Sequence, residues 1–448
     1  MPNSSIAPNS APPTGIRGSF IDFVDDPFIQ DEQASIRWIP DGLLVIQDGY
    51  IKAFGNYSQI APAYDNLAIQ THDDRIIMPG LIDTHIHYPQ TGMIAAYGEQ
   101  LLEWLSRYTF PTEQKFKDKT YALEIAELFL DELLKNGTTT ALIYAAVFPE
   151  SVDAIFEAAQ RRNLRLIAGK VMMDRNAPKD LCDTAETSYQ ESKALIQKWH
   201  QKGRLLYAVT PRFAGTSSRS QLDMAGKLLR EFPGVYLQTH LSENRDEVAW
   251  IRELFPDSQD YLDVYDRSGL VQSRSVFAHG IHLSEREFQR LSEAESAIAF
   301  CPTSNLFLGS GLFNLARAKS ADSPVKVGLG TDVGAGTSFS LLQTTNEAYK
   351  VAQLQGQKLS PLQAMFLATL GGARALSLED KIGNFDVGKE ADFIVLDDQA
   401  TPLMALRNGS HDHQTLEALC DRIFSLVIMG DDRAIAATYI MGQPAHTR

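Results

Sequence analysis

From residue 79 to about residue 378, short apolar runs alternate with amphipathic stretches of helical period. The apolar runs fall at 79–87, 138–146, 165–172, 204–213, 235–243, 275–282, 297–303 and 325–333. The clearest helix spans 119–136, where Tyr121, Ile125, Leu128, Phe129 and Leu133 recur on one face and Gly137 follows as a stop. A second helix spans 184–201, with Gly203 just beyond it. Eight such alternations predict an α/β fold, a TIM-like (β/α)8 barrel. An open doubly wound sheet gives a similar alternation. On either side of 79–378 the texture is strand-like. The runs Gly18 to Asp22, Leu43 to Gly49 and Ile51 to Gly55 precede the barrel region, and Asp48-Gly49 between two apolar runs signals a hairpin. After residue 378, the stretches 388–397 and 435–441 read as strands. The expected organisation is a disordered tail at 1–15, the N-terminal part of a small β-sandwich at 16–78, the barrel at 79–378, and the C-terminal part of the sandwich at 379–448.

With 448 residues and 44% hydrophobic content, the chain suits a large barrel with a satellite domain. The net charge of −15, with no run of Lys or Arg, argues against a nucleic-acid partner. No stretch reaches the roughly 18 apolar residues of a membrane span, and the Pro- and Ser-rich first residues lack the core of a signal peptide. Cys182, Cys301 and Cys420 are scattered and odd in number, so neither a disulfide framework nor a thiolate zinc site is expected. A cytoplasmic setting is the simplest expectation.

The chemistry gathers at strand ends. In a barrel of this kind the active site lies at the C-terminal ends of the strands. The first strand ends with His85 and His87, which point to one side because residues i and i+2 share a face. The fifth ends Thr239-His240-Leu241-Ser242-Glu243, the sixth ends at His279, and the eighth ends Thr331-Asp332. Four of the chain's ten histidines therefore meet one rim. Taken singly, each fits a hydrogen-bonded core histidine; four together favour a catalytic zinc, whose bound water has its pKa lowered to about 7. Glu243 is free to shuttle protons, or to open a helix as an N-terminal carboxylate. The fourth strand ends Thr210-Pro211-Arg212-Phe213 and offers no lysine to bridge two metals, which favours one. Gln90 follows His87 by three residues, Arg212 offers a forked donor for a carbonyl oxygen, and Phe213 offers a stacking face. A solvated loop Gln, a surface Arg and a core Phe are their structural alternatives. His411 and His413 form a second His-x-His in a polar loop, and the 408–414 stretch has no assigned role.

Pro79-Gly80-Leu81-Ile82-Asp83-Thr84-His85-Ile86-His87 resembles the first-strand signature of the amidohydrolase superfamily. Leu101 to Leu105 (Leu-Leu-Glu-Trp-Leu), Tyr108 to Glu113 (Tyr-Thr-Phe-Pro-Thr-Glu), 170–178, Thr239 to Asn244 and Cys301 to Leu306 are similar to guanine deaminases, and the resemblance covers nearly everything from Gly15 onward. It implies zinc-dependent hydrolysis of guanine to xanthine and ammonia, with zinc-bound hydroxide attacking C2. His85, His87, His240 and Asp332 would hold one Zn2+ per chain. Glu243 would shuttle protons, His279 would orient the hydroxide, and Asp332 would accept a proton from the water. Gln90, Arg212 and Phe213 would contact the base, with His87, His240, Glu243 and Asp332 beside it. The implied partners are a small purine base and water, without nucleic acid or membrane, in a homodimer that serves purine catabolism. Two other functions fit the same residues: another mononuclear amidohydrolase acting on a different aminated or halogenated ring, and a non-enzymatic scaffold on this fold.

Overall fold

The structure is a computed structural model that describes residues 12–97, 101–409 and 415–448. Four strands open the chain: β1 (Thr14–Phe23), β2 (Ile36–Gln47), β3 (Tyr50–Asn56) and β4 (Ala68–Pro79). β2 and β3 form the hairpin expected at Asp48-Gly49. Both turn residues have positive φ, 53° and 85°, as the tight two-residue turn between right-twisted strands requires.

The barrel strands are β5 (Leu81–His87), β6 (Thr138–Tyr144), β7 (Arg165–Gly169), the two-residue β8 (Val171–Met172), β9 (Leu205–Pro211), β10 (Tyr236–Leu241), β11 (Ser275–His279), β12 (Ala297–Phe300) and β13 (Lys326–Leu329). Eight of them run side by side in the order β5-β6-β7-β9-β10-β11-β12-β13, and β8 pairs with β9. All of the neighbouring pairs are parallel. The last and first strands meet without a regular ladder. The Thr84 hydroxyl donates to the Leu329 carbonyl at 2.9 Å, and the Asp332 and His87 amides donate to His85 and Val333 carbonyls at 2.9 and 3.0 Å. Gly330 permits this approach: a Cβ there would lie 2.8 Å from the His85 Cβ.

The helix after β5 spans Lys119–Lys135, is capped by the Asp118 side chain on the Thr120 amide, and stops before Gly137 at φ 79°. Its buried stripe is Ala122, Ala126, Phe129, Leu130 and Leu133, and Leu128 is 51% exposed. The apolar face is thus turned from the expected one: two small alanines let the helix lie close to the barrel, and Leu128 is left on the solvent side. The second expected helix spans Ala185–Trp199, capped by Thr184.

β14 (Phe393–Leu396), β15 (Ile435–Ile440) and β16 (Gln443–Thr447) return to the first strands. Together they make one seven-stranded sheet, β16-β15-β14-β4-β1-β2-β3, built from both chain ends. Its own core includes Phe20, Ile77, Phe385, Phe393 and Tyr439. The region after 378 also holds helices Pro402–Asn408 and Leu416–Met429, where only strands were expected. Leu419, Ile423, Leu426 and Val427 give the second its buried face at helical spacing. His411 and His413 lie outside the described residues.

Candidate functional site

The C-terminal strand ends bring His85, His87, His240, Glu243, His279 and Asp332 together. His85 Nε2 and His87 Nε2 lie 3.2 and 3.4 Å from Asp332 Oδ1, and His87 Nε2 lies 3.2 Å from His240 Nε2. Two overlapping sets, His85–His240–His279 and His85–His87–Asp332, each hold their ligand atoms within 4.8 Å of one another. The turn residues Ser242, His279 and Asp332 have φ of 50°, 72° and 52°. Such left-handed backbone in non-glycine residues costs about 1–3 kcal/mol each and is kept where surrounding structure enforces it.

Backbone and side-chain partners fix two of the rings. His240 Nδ1 donates to the Arg212 carbonyl at 2.7 Å, and His279 Nδ1 donates to the Asn305 side-chain oxygen at 2.8 Å. Each ring therefore turns Nε2 toward the cavity. Burial holds the His85, His87 and His240 imidazoles well below the usual range near 6.5, so their lone pairs are free. His85 Nε2, His87 Nδ1 and His279 Nε2 are buried without a hydrogen-bond partner among the described residues. Neutral rings facing each other across 3.2 Å beside a carboxylate lack a shared positive charge. A divalent cation would supply it, and three histidines with one carboxylate are a donor set that fits zinc.

Glu243 is buried beside this cluster, with Oε2 3.4 Å from His279 Nε2 and Oε1 accepting from the Ser310 hydroxyl at 3.4 Å. Burial, and then the Asp332 charge, push its carboxyl up to about 8. The Glu243 and Asn244 amides both donate to Glu247, which also accepts from Tyr261, so the turn carrying Glu243 is pinned.

A cavity opens over the cluster, lined by Gln90, Trp104, Arg212, Phe213, Leu308 and Ala335 together with His87, His240, Glu243, His279 and Asp332. Gln90 and Arg212 are both buried rather than solvated, and Phe213 packs near Trp250 with ring centres 6.1 Å apart. Gly215 makes room for that pair, since a Cβ there would fall 2.3 Å from the Phe213 ring.

An Amidohydrolase family model matches residues 76–445. The chain belongs to the amidohydrolase family. Within it, the chain is 54% identical to the guanine deaminase of Escherichia coli over 440 residues, which is 97% of this chain and 98% of that one. A crystal structure of guanine deaminase from Bradyrhizobium japonicum superposes with a TM-score of 0.95 at 44% identity, covering 98% of this chain and all of that one. A guanine deaminase structure from C. acetobutylicum with bound guanine in the active site superposes with a TM-score of 0.86 at 30% identity, over 96% and 99% of the two chains.

The structure brings the site residues singled out in the sequence together: all but His85 line the cavity, and His85 lies behind them in the cluster, while several neighbours are not among those residues. Asp83 takes the His85 and Thr331 amides and the Thr331 hydroxyl, tying β5 to the turn before Asp332. Its signal was present: an aspartate inside an apolar strand needs buried partners. Asn305 belongs to a quoted motif, but its hold on His279 was not deduced. Trp104 lines the cavity with its Nε1 buried and unpartnered among the described residues. Glu113, fully buried, accepts from Arg212 Nη1 at 2.9 and 2.8 Å and from Gln90 Nε2 at 3.2 Å.

Proposed function

We propose that this chain catalyses hydrolytic deamination of guanine to xanthine and ammonia on one zinc ion. What supports the reading most is that Gln90, Arg212 and Phe213 border the same cavity as the histidine–aspartate cluster and Glu243, in a chain 54% identical to a guanine deaminase.

His85, His87, His240 and Asp332 would hold the metal. When bound, zinc supplies a Lewis acid that lowers the pKa of water and makes a nucleophile available near neutral pH. The chain's own groups handle orientation and protons. Arg212 donates to the C6 carbonyl, Gln90 engages the opposite ring edge, and Phe213 covers a ring face, which brings C2 over the cluster. His279, with Nδ1 committed to Asn305, directs Nε2 at the attacking oxygen. Asp332 accepts a proton from the water. Glu243 delivers a proton to N3 as the C2–O bond forms, so negative charge never builds on the ring. Glu243 next takes the proton released as the C2 hydroxyl becomes a carbonyl and passes it to the amino group at C2, the C2–N bond breaks, ammonia leaves with xanthine, and the proton held by Asp332 returns to Glu243. A carboxyl raised to about 8 is suited to carrying protons in both directions near neutral pH, and a nearby cation lowers it further toward that range.

The same reading carries a homodimer and a cytoplasmic setting in purine catabolism, which the three free cysteines suit. Among the described residues, no helix is long and apolar enough to cross a membrane. The deciding experiment is ammonia release by zinc-loaded protein from a panel of guanine, adenine, cytosine and an aminated triazine. Guanine should lead clearly. Equal turnover of adenine would remove the guanine assignment and leave a metal hydrolase.

A further inference from the structure

Two side chains that border the cavity, on different barrel loops, share one hidden anchor. Glu113 lies at the end of the short helix Phe110–Glu113, inside the Thr-Phe-Pro segment, and does not itself line the cavity. Its two oxygens both accept from Arg212 Nη1, and Oε1 also accepts from Gln90 Nε2. Arg212 and Glu113 form a buried ion pair. The arrangement fixes more than position. A carboxylate only accepts, so the Gln90 nitrogen must face it. The Gly334 amide only donates, and it reaches Gln90 Oε1 at 3.3 Å. The amide therefore cannot flip. Arg212 spends Nη1 on Glu113, and no described residue takes its Nε or Nη2. Those two donors are the parallel pair that matches adjacent acceptors such as O6 and N7 of a 6-oxopurine.

We propose that Glu113 is the positioning residue that sets selectivity for 6-oxopurines, by fixing the Arg212 fork and the Gln90 amide with a single carboxylate. The proposal rests on Arg212 as the base contact. Without Glu113 the guanidinium keeps its charge but loses its direction, and Gln90 regains the flipped state. Misplacing such groups by about 1 Å costs on the order of 10²-fold in turnover.

The test uses zinc-loaded protein and calorimetric binding of hypoxanthine, which has the 6-oxo group but no amine to lose, against unsubstituted purine, which has neither. E113Q should retain its zinc, lose hypoxanthine affinity by about tenfold or more, and change purine affinity by less than about threefold. Guanine kcat/KM should fall by about 10²-fold. R212M should show the same selective loss, and adding E113Q to R212M should cost much less than E113Q costs the parent, since only the Gln90 amide is then left for Glu113 to direct. E113D, one methylene shorter, should lie between parent and E113Q and carries the test if E113Q does not fold. If hypoxanthine affinity survives in E113Q while R212M loses it, the proposal fails and Arg212 keeps its role. If both ligands weaken equally in E113Q or E113D, Glu113 is structural only and the proposal fails. If R212M leaves the hypoxanthine-to-purine ratio unchanged, the base-contact reading fails and takes the proposal with it.

Discussion

At the N-terminal end of the barrel, Arg165 and Arg204 are buried against Glu390 and Asp392 from the terminal sheet. Each makes several hydrogen bonds. Arg165 Nε reaches Glu390 at 2.7 Å, Arg204 Nε and Nη2 reach Glu390 at 3.1 and 2.7 Å, and Arg204 Nη1 donates to the Asn163 carbonyl at 2.8 Å. Arg204 also pairs with Asp392, whose other oxygen takes the Met441 amide. At the C-terminal end the burial is as deep, yet His85 Nε2, His87 Nδ1, His279 Nε2, Trp104 Nε1 and Tyr144 Oη have no hydrogen-bond partner among the described residues, although carboxylates lie 3.2 Å from His85 Nε2 and 3.4 Å from His279 Nε2. Buried polar groups are ordinarily satisfied, because an unmade hydrogen bond costs about 1–3 kcal/mol. The saturated end is an adhesive between barrel and sheet. In the proposed function, the unsaturated end is the site that a cation and a substrate would complete.

The largest break in that contrast comes from a metal ligand. H85A and H240A should lose zinc and guanine turnover together, read by metal analysis and ammonia release, because each removes one of four ligands. Full zinc with normal turnover in either variant would reject this ligand set. E243Q should keep zinc but lose about 10²–10⁴-fold in kcat, with the upper end expected because the group serves two proton transfers. A variant within about threefold of the parent would remove Glu243 from the proton path. R212M should lower guanine turnover while leaving metal content unchanged, since its side chain borders the cavity and only its backbone carbonyl supports His240.

At the saturated end the expected effect is on stability alone. E390Q should lower unfolding free energy by about 3 kcal/mol near neutral pH, as for one partner removed from a buried pair, and leave kcat intact. The effect has a pH signature. Burial pushes the Glu390 carboxyl up, but hydrogen bonds and charge from Arg165 and Arg204 outweigh it and hold the group below its ordinary 4.5. The unfolded chain then takes up the proton first as pH falls. The advantage of the parent over E390Q is therefore complete above the ordinary carboxylate range and fades as pH drops through the lowered folded value. Denaturant curves for both proteins between neutral and acidic pH check this, and a constant gap would contradict it.

The two ends also differ in how much the sequence discloses. His85, His87, His240, His279 and Asp332 were legible because each ends an apolar strand, and strand ends in this fold converge by geometry alone. Glu113 was not, since its partners lie 23 and 99 residues away and nothing local marks them. The same holds for Arg165 and Glu390, 225 residues apart. Leu128 was assigned to the buried face because a hydrophobic count weighs leucine above alanine, although close packing on the barrel selected Ala122 and Ala126. The helix Leu416–Met429 escaped because the strand texture around it led the reading, despite its helical spacing of buried residues.

As proposed, the unsaturated rim is a one-metal hydrolytic site. This is tested most directly by stripping the protein with a chelator and titrating zinc back while following xanthine formation from guanine. Activity should start near zero, rise in proportion to added zinc and break sharply at one equivalent per chain. A break at two equivalents, or undiminished turnover in the stripped protein, would contradict it.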